Sequence, residues 1–262
     1  MSSSKIEFEV KDQVATLRLN DPASLNAVSR DMVVEMRLAV AEAETSARAL
    51  ILCGAGGAFC SGANLAGGMG VEQAGPDFDA GAGLEQAINP LVIAMRDLKI
   101  PWISAVRGAA AGVGAALALA ADMIIAGETA YFLEAFCRIG LVPDGGSTYL
   151  LTRAAGRVRA MEMMLLGEKI PAPRALAWGL INRVVADDEV EEEALALARR
   201  LAAGPTRTLA LIRRAAWRAT DSDLAIALQT ERDAQLEAGR SADFREGVQA
   251  FLAKRPARFT GA

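Results

Sequence analysis

Repeatedly along this chain a short, unbroken apolar run ends in a glycine-rich bend and gives way to helix-spaced apolar residues. No other feature constrains the fold as tightly. Ala49-Leu50-Ile51-Leu52 runs into Gly54 to Gly57, and Pro101-Trp102-Ile103-Ser104-Ala105-Val106 runs into Gly108 to Gly114. A helix over Gly112 to Ala121 then precedes the run Met123 to Ala126. Apolar runs without alternation suit strands covered on both faces, as in parallel sheets, and glycines end them. Strand, bend and helix wound over and over give an α/β sheet-and-helix core of ββα or βα units.

The flanks have a different texture. Ile6 to Val10 and Val14 to Leu19 alternate around Lys11-Asp12-Gln13, which predicts a β-hairpin. Ser29 is a good N-cap for a helix whose Met32, Val33, Met36, Ala39, Val40 and Ala43 form one buried stripe. The glycine-rich stretch Ala66 to Gly83 reads as a loop able to reshape over a ligand. Helical spacing resumes at Leu84 to Leu98, with Pro90 a candidate kink. Beyond Gly167 a strand over Leu180 to Val185 is expected. Helices are then expected near Glu189 to Ala203, Thr206 to Thr220, Asp223 to Glu237 and Ser241 to Lys254. This divides the chain into a core over residues 1–204 and a helical C-terminal oligomerisation subdomain over 205–262.

At 262 residues and 52% hydrophobic, the chain has material for a large core. A net charge of -4 argues against nucleic acid as the main partner. The chain contains no histidine, which removes Ser-His-Asp and Cys-His catalysis and imidazole metal ligation together. Proton transfer then falls to carboxylates or rarer groups. Cys53, Cys60 and Cys137 lack metal-ligand spacing and read as reduced, mostly packed thiols. The first residues carry no apolar signal region, so a cytoplasmic location is expected. The apolar run Gly112 to Ala126 includes Asp122 and falls short of the roughly 20 residues of a membrane span, so a buried helix followed by a strand explains it and no membrane partner is expected.

Two glycine bends and one acid carry the chemistry. In Phe59-Cys60-Ser61-Gly62-Ala63-Asn64-Leu65 the glycine permits a sharp turn, and small Ala63 leaves its backbone N–H approachable. Taken by itself this is a glycine turn and nothing more. In Gly108 to Gly114 the Val113 N–H opens a very apolar helix, where N–H groups lack partners; close packing of helix on strand explains the same glycines. Asp144, in Leu141-Val142-Pro143-Asp144-Gly145-Gly146, lies among apolar neighbours that raise a carboxyl pKa. It also suits the N-cap of a following helix.

These segments, in this order and at these separations, resemble the crotonase, or enoyl-CoA hydratase/isomerase, superfamily over nearly the whole chain. The resemblance implies a spiral of ββα units and two backbone donors, Ala63 and Val113, forming an oxyanion hole for a thioester carbonyl. It implies that Ala27, Ser61, Gly62 and Leu65 line the acyl-CoA site. Gly112, Gly114 and Phe136 complete that lining. Hydratases of the family use a pair of glutamates, and Ala116 and Phe136 stand in the matching places here; Asn64 likewise replaces an acid. Ordinary hydration is therefore disfavoured, while isomerase branches place a lone acid where Asp144 stands.

The Leu141 to Gly146 segment and the ending Gly239-Arg240-Ser241-Ala242-Asp243-Phe244-Arg245-Glu246-Gly247-Val248 through Lys254 look like the ring-1,2-epoxyphenylacetyl-CoA isomerase branch. The resemblance further implies that Phe251 and Lys254 approach the nucleotide end of coenzyme A bound to a neighbouring subunit, in a homotrimer or dimer of trimers. Ordinary solvated charge explains Lys254 equally well. No cofactor is expected, because coenzyme A belongs to the substrate. Three functions stay open at this point: isomerisation of a ring epoxide, a double-bond shift in straight-chain enoyl-CoA, and non-catalytic binding of acyl-CoA.

Overall fold

The computed structural model describes residues 4–64, 75 and 77–262. The hairpin is β1 (Ile6–Lys11) and β2 (Val14–Leu19), followed by α1 (Arg30–Ser46) and β3 (Ala49–Gly54). The Ser29 hydroxyl accepts the Met32 N–H at 3.2 Å and so caps α1, which buries the six residues of its apolar stripe. Most of the expected loop over Ala66 to Gly83 lies outside the described residues. The chain re-enters through a π-helical turn at Leu84–Ile88 and continues into α2 (Asn89–Asp97). Pro90 lies inside an unbroken helical run over residues 82–97, directly after the π-helical turn, and the widened turn accommodates its missing N–H, the kind of local irregularity expected of a proline within a helix.

The winding then repeats with a fixed rule. β4 (Trp102–Val106), β5 (Ala109–Ala111) and α3 (Val113–Leu119) form one ββα unit. β6 (Met123–Gly127), β7 (Tyr131–Leu133) and α4 (Ser147–Ala154) form the next. The first strand of each unit joins a six-stranded sheet ordered β1-β2-β3-β4-β6-β9, parallel except for β1. The second strand joins a small sheet ordered β5-β7-β8. Its last member, β8 (Ile170–Pro171), lies between α5 (Arg157–Leu166) and α6 (Ala172–Ala177). The sixth strand of the main sheet, β9 (Arg183–Val185), is shorter than expected. Leu180 turns back instead, its N–H donating to Ala175 O at 2.9 Å, and is buried there.

Every residue of β3 and β4 is buried, as the unalternating runs require for strands covered on both faces. One side packs Leu50, Leu52 and Trp102 against α1 and α3; the other packs Ile51 and Ile103 under α7 (Val190–Ala202). Truncating such a leucine to alanine costs about 2–5 kcal/mol. The apolar run at Gly112 to Ala126 is α3 followed by β6. Among the described residues, no helix is long and apolar enough to cross a membrane. Cys53 and Cys60 are buried free thiols, whereas Cys137 is exposed.

Three helices follow Pro205: α8 (Thr206–Ala219), α9 (Leu224–Ala238) and α10 (Ala242–Leu252). A buried arginine pins α8 to the core. Arg213, only 7% exposed, donates to Asp122 Oδ2 at 2.6 Å and to the carbonyls of Leu98 and Met95. Asp122 Oδ2 also accepts the Trp102 N–H at 2.8 Å. Such a charge is tolerated inside because its donors are answered.

Candidate active site

The first bend is fixed from below by one buried side chain. Asn26 is fully enclosed; its amide donates to Ala55 O at 2.9 Å, Ala58 O at 2.8 Å and Phe59 O at 3.3 Å, while its Oδ1 accepts the Asp21 N–H. This locks the turn after β3. Cys60 then pairs with Ala110 of β5, its N–H donating to Ala109 O and its carbonyl accepting from Ala111 N. Ala63 is bridged in parallel to Val28, with Val28 N donating to Gly62 O at 2.7 Å and Asn64 N to Val28 O at 2.9 Å. In such a bridge the flanking residues make the bonds, so the Ala63 N–H points away from Val28.

The second bend comes from β5. Gly112 adopts φ of 51°, which a residue with a side chain rarely holds, and its N–H donates to Leu133 O at 2.8 Å. Val113 opens α3, where a helix has no acceptor for its N–H. Close packing also operates, two residues along: a Cβ on Gly114 would meet the Cys60 carbonyl oxygen at 2.6 Å and its Sγ at 2.7 Å. That contact draws α3 down onto the strand carrying the first bend. A Cβ on Gly112 would lie 3.8 Å from Gly62 Cα, so the two bends face each other. Among the described residues, neither the Ala63 nor the Val113 N–H has an acceptor. Two backbone donors left free side by side suit an oxygen that gains negative charge.

The acid comes from the segment between β7 and α4. Asp144 is half-buried, and its Oδ1 is sealed from solvent without a hydrogen-bond partner. Burial pushes its carboxyl up to about 6. The capping alternative does not hold for this side chain: Gly146 occupies the N-cap of α4, and Asp144 contributes only its backbone carbonyl, which accepts the Ser147 N–H at 3.0 Å. Gly145 next to it is buried against Val113 and Ala116. Ala116 is itself buried, and the Phe136 ring stands over Gly112, 3.4 Å from where a Cβ would be.

The profile described as Enoyl-CoA hydratase/isomerase matches residues 9–262. The chain belongs to the enoyl-CoA hydratase/isomerase family. It is 46% identical over 254 residues to the 1,2-epoxyphenylacetyl-CoA isomerase of Escherichia coli K12, covering 96% of this chain and 97% of that one. It is 43% identical over 261 residues to a Rhodobacter capsulatus protein named "Probable enoyl-CoA hydratase", covering all of both chains. An enoyl-CoA hydratase structure from Polaromonas sp. JS666 superposes with a TM-score of 0.90 at 32% identity, over 97% of this chain and 99% of the other. The ββα spiral is thus the crotonase fold of that family.

Other expected lining residues of this family member divide by what their side chains already do. Ala27 is buried, and the Ser61 hydroxyl donates to Ser24 O at 2.9 Å, bracing the loop before α1. Leu65 lies outside the described residues. Phe251 is 81% exposed near the end of α10. Lys254 follows it at the surface with φ of 51°. The polar side chains of α10 bond instead to the last residues of the chain, as where Asp243 accepts the Thr260 and Gly261 N–H groups.

Two residues of consequence were not singled out from the sequence. One is Asn26, whose only signal was an amide between apolar neighbours. The other is Glu134, fully buried directly after β7, with the buried Ser147 hydroxyl beside it and no other hydrogen-bond partner among the described residues. Burial drives the Glu134 carboxyl up to about 8; the nearby Ser147 hydroxyl lowers it and the Asp144 charge raises it further. Among the described residues, no group of histidine, cysteine and acidic side chains is placed to hold a metal ion.

Proposed function

We propose that this protein is an acyl-CoA isomerase, acting on 2-(1,2-epoxy-1,2-dihydrophenyl)acetyl-CoA. The observation that carries the reading is the juxtaposition of two unengaged N–H groups, on Ala63 and Val113, with a half-buried acid whose Oδ1 lacks a partner. In this reading the donors hold the thioester oxygen. Ionised Asp144 takes a proton from carbon, the electron pair moves onto that oxygen as an enolate, and the same carboxyl returns the proton at another carbon. For the ring epoxide, the C–C bond joining the two epoxide carbons opens to a seven-membered oxepin with both C–O bonds kept, and the proton taken from the side-chain carbon is returned to a ring carbon, so the product is an isomer of the substrate. The enolate is the electron sink, so the chemistry calls for no metal or redox cofactor, and coenzyme A enters as part of the substrate.

Hydration is disfavoured by the same geometry, although several relatives carry that name. Syn addition of water needs two acids, and the two places where the resemblance puts them hold the methyl of Ala116 and the ring of Phe136. The proposal extends to a homotrimer or dimer of trimers in the cytoplasm, with Phe251 and Lys254 of one subunit reaching the nucleotide of its neighbour's substrate. An exposed phenyl ring and ammonium group suit a base and a phosphate.

One assay panel tests the reading. The purified protein is offered 2-enoyl, 3-enoyl and epoxyphenylacetyl thioesters, and products are followed by mass and ultraviolet spectra. Conversion of the ring epoxide supports the assignment. Conversion of the 3-enoyl thioester alone reassigns it to straight-chain double-bond shifts. Tight acyl-CoA binding without any product makes it a binding protein.

A further inference from the structure

Behind Asp144 the fold buries a second acid that the proposed isomerisation does not use. Glu134 leaves β7 one residue after Leu133, whose carbonyl holds the Gly112 N–H of the second bend. Ser147 is bonded through its N–H to the Asp144 carbonyl, and its buried hydroxyl lies beside the Glu134 carboxyl. Glu134, Ser147 and Asp144 therefore form a cluster whose four sealed oxygens find no partner outside it among the described residues. A fully buried carboxylate with one hydroxyl beside it and no cation is costly, whereas a neutral carboxylic acid is far less so.

Among the described residues, the surroundings offer no such cation. β5 and α3 carry no charged residue. Arg153 of α4 pairs with Asp221, and Arg174 of α6 pairs with Glu162 of α5. Arg159 of α5 lies against the Trp178 ring, and Lys169, just before β8, over the Tyr131 ring. Arg138 and the Cys137 thiol, on the turn following Glu134, are exposed. Asp144 is the charged group that bears on Glu134.

We propose that Glu134 and Asp144 share a single negative charge, with the inner Glu134 kept as the neutral acid so that the outer Asp144 is left as the working base. Glu134 is then a positioning residue acting through Asp144, and the inference rests on the isomerase reading only for its effect on rate. Two like charges in one dry cluster disfavour each other, so the better-solvated carboxyl ionises first. Ionising Glu134 as well would set a buried anion beside the site where the enolate charge develops, so turnover should decline at alkaline pH.

The test reads the proton directly. Infrared difference spectra of the wild-type protein across pH should show a protonated carboxylic acid band at neutrality that disappears with a midpoint near 8. The band should be missing in Glu134→Gln. Its midpoint should fall by about a pH unit in Asp144→Asn, where the repelling charge is gone, and rise in Ser147→Ala. In kinetics, kcat/KM of the wild type should decline above the same midpoint, and Glu134→Gln should lack that decline. A neutral-pH acid band that survives Glu134→Gln, or a midpoint unmoved by Asp144→Asn, overturns the shared charge. Should Asp144→Asn turn over substrate normally while the band behaves as stated, the isomerase reading falls and the shared charge stands.

Discussion

Gly145, the residue after Asp144, packs directly on Val113, the residue whose N–H opens α3. A Cβ built on Gly145 would lie 3.2 Å from Val113 Cγ2 and 2.9 Å from the Ala116 methyl. The acid-bearing turn and the donor-bearing helix end are therefore set by one contact rather than by two independent loops. Gly145→Ala should push them apart. With φ of 61° at this position the substitution adds backbone strain to the overlap. The expected loss is about 2–4 kcal/mol of stability, with turnover down about 10- to 100-fold from misalignment. Denaturant midpoints and kcat on the same preparation check it; a variant as active as the wild type would mean that the contact sets no geometry.

Asp144→Asn should lower kcat by about 100- to 10,000-fold while leaving acyl-CoA affinity nearly unchanged, as befits loss of a proton-transfer group. The wild-type pH profile carries a second signature. Burial pushes Asp144 up to about 6, and a base must be ionised to act. Thus kcat/KM should fall about tenfold per pH unit below that value and level off above it, until the alkaline decline set by Glu134 begins. Stopped-flow rates over the acid range measure the limb. An acid limb in the ordinary carboxylate range would remove the case for a desolvated base.

The winding was legible in the sequence because β3 and β4 are continuous apolar runs and α1 carries a clean stripe behind Ser29. The two bends show in the sequence as glycine turns and Asp144 as an acid among apolar residues; what joins them into one candidate site is the family resemblance, since each segment alone fits a turn, a packing contact or a cap. The small sheet was not: β5, β7 and β8 are too short to show any period. Helix α5 is hidden because its apolar residues run all round it and leave no stripe, α6 because it has only six residues, and Leu180 resembles a strand residue because burial in a turn looks the same one residue at a time. Glu134 was hidden for a different reason. Nothing local distinguishes an acid that follows a strand into solvent from one that follows it into the core; β7 lying between β5 and β8 decides that.

Asn26 ties the loop before α1 to the turn that precedes Cys60, so its loss should act on the first bend at a distance. Asn26→Ala removes the two amide hydrogens shared among three carbonyls and one accepted bond in a sealed position, and leaves the facing carbonyls unanswered. A cost of about 3 kcal/mol or more is expected. Since the backbone of Gly62 and Ala63 then loses its support, KM should rise and kcat fall together. Comparing thermal unfolding with steady-state kinetics separates the effects; a destabilised protein with unchanged kinetics would confine Asn26 to folding.

Glu134 should also give the stability of the whole protein an unusual dependence on pH. An unfolded glutamate titrates near the ordinary value of 4.5, whereas the folded group is pushed up to about 8 by burial. Between these values the folded chain keeps a proton that the unfolded chain has released. The folded state thus binds more protons, and stability must fall as pH rises through the window. Each unit of separation is worth about 1.4 kcal/mol, so the fall is on the order of a few kcal/mol across it. Asp144, also raised, adds a smaller fall of the same sign between its ordinary value of 3.8 and about 6. Glu134→Gln keeps the Asp144 contribution and loses the larger one, so urea-derived stabilities of the two proteins should diverge steadily with rising pH, the variant becoming the more stable. Parallel curves would mean that Glu134 ionises alike in the folded and unfolded chain, against what burial at 0% exposure with no cation beside it requires.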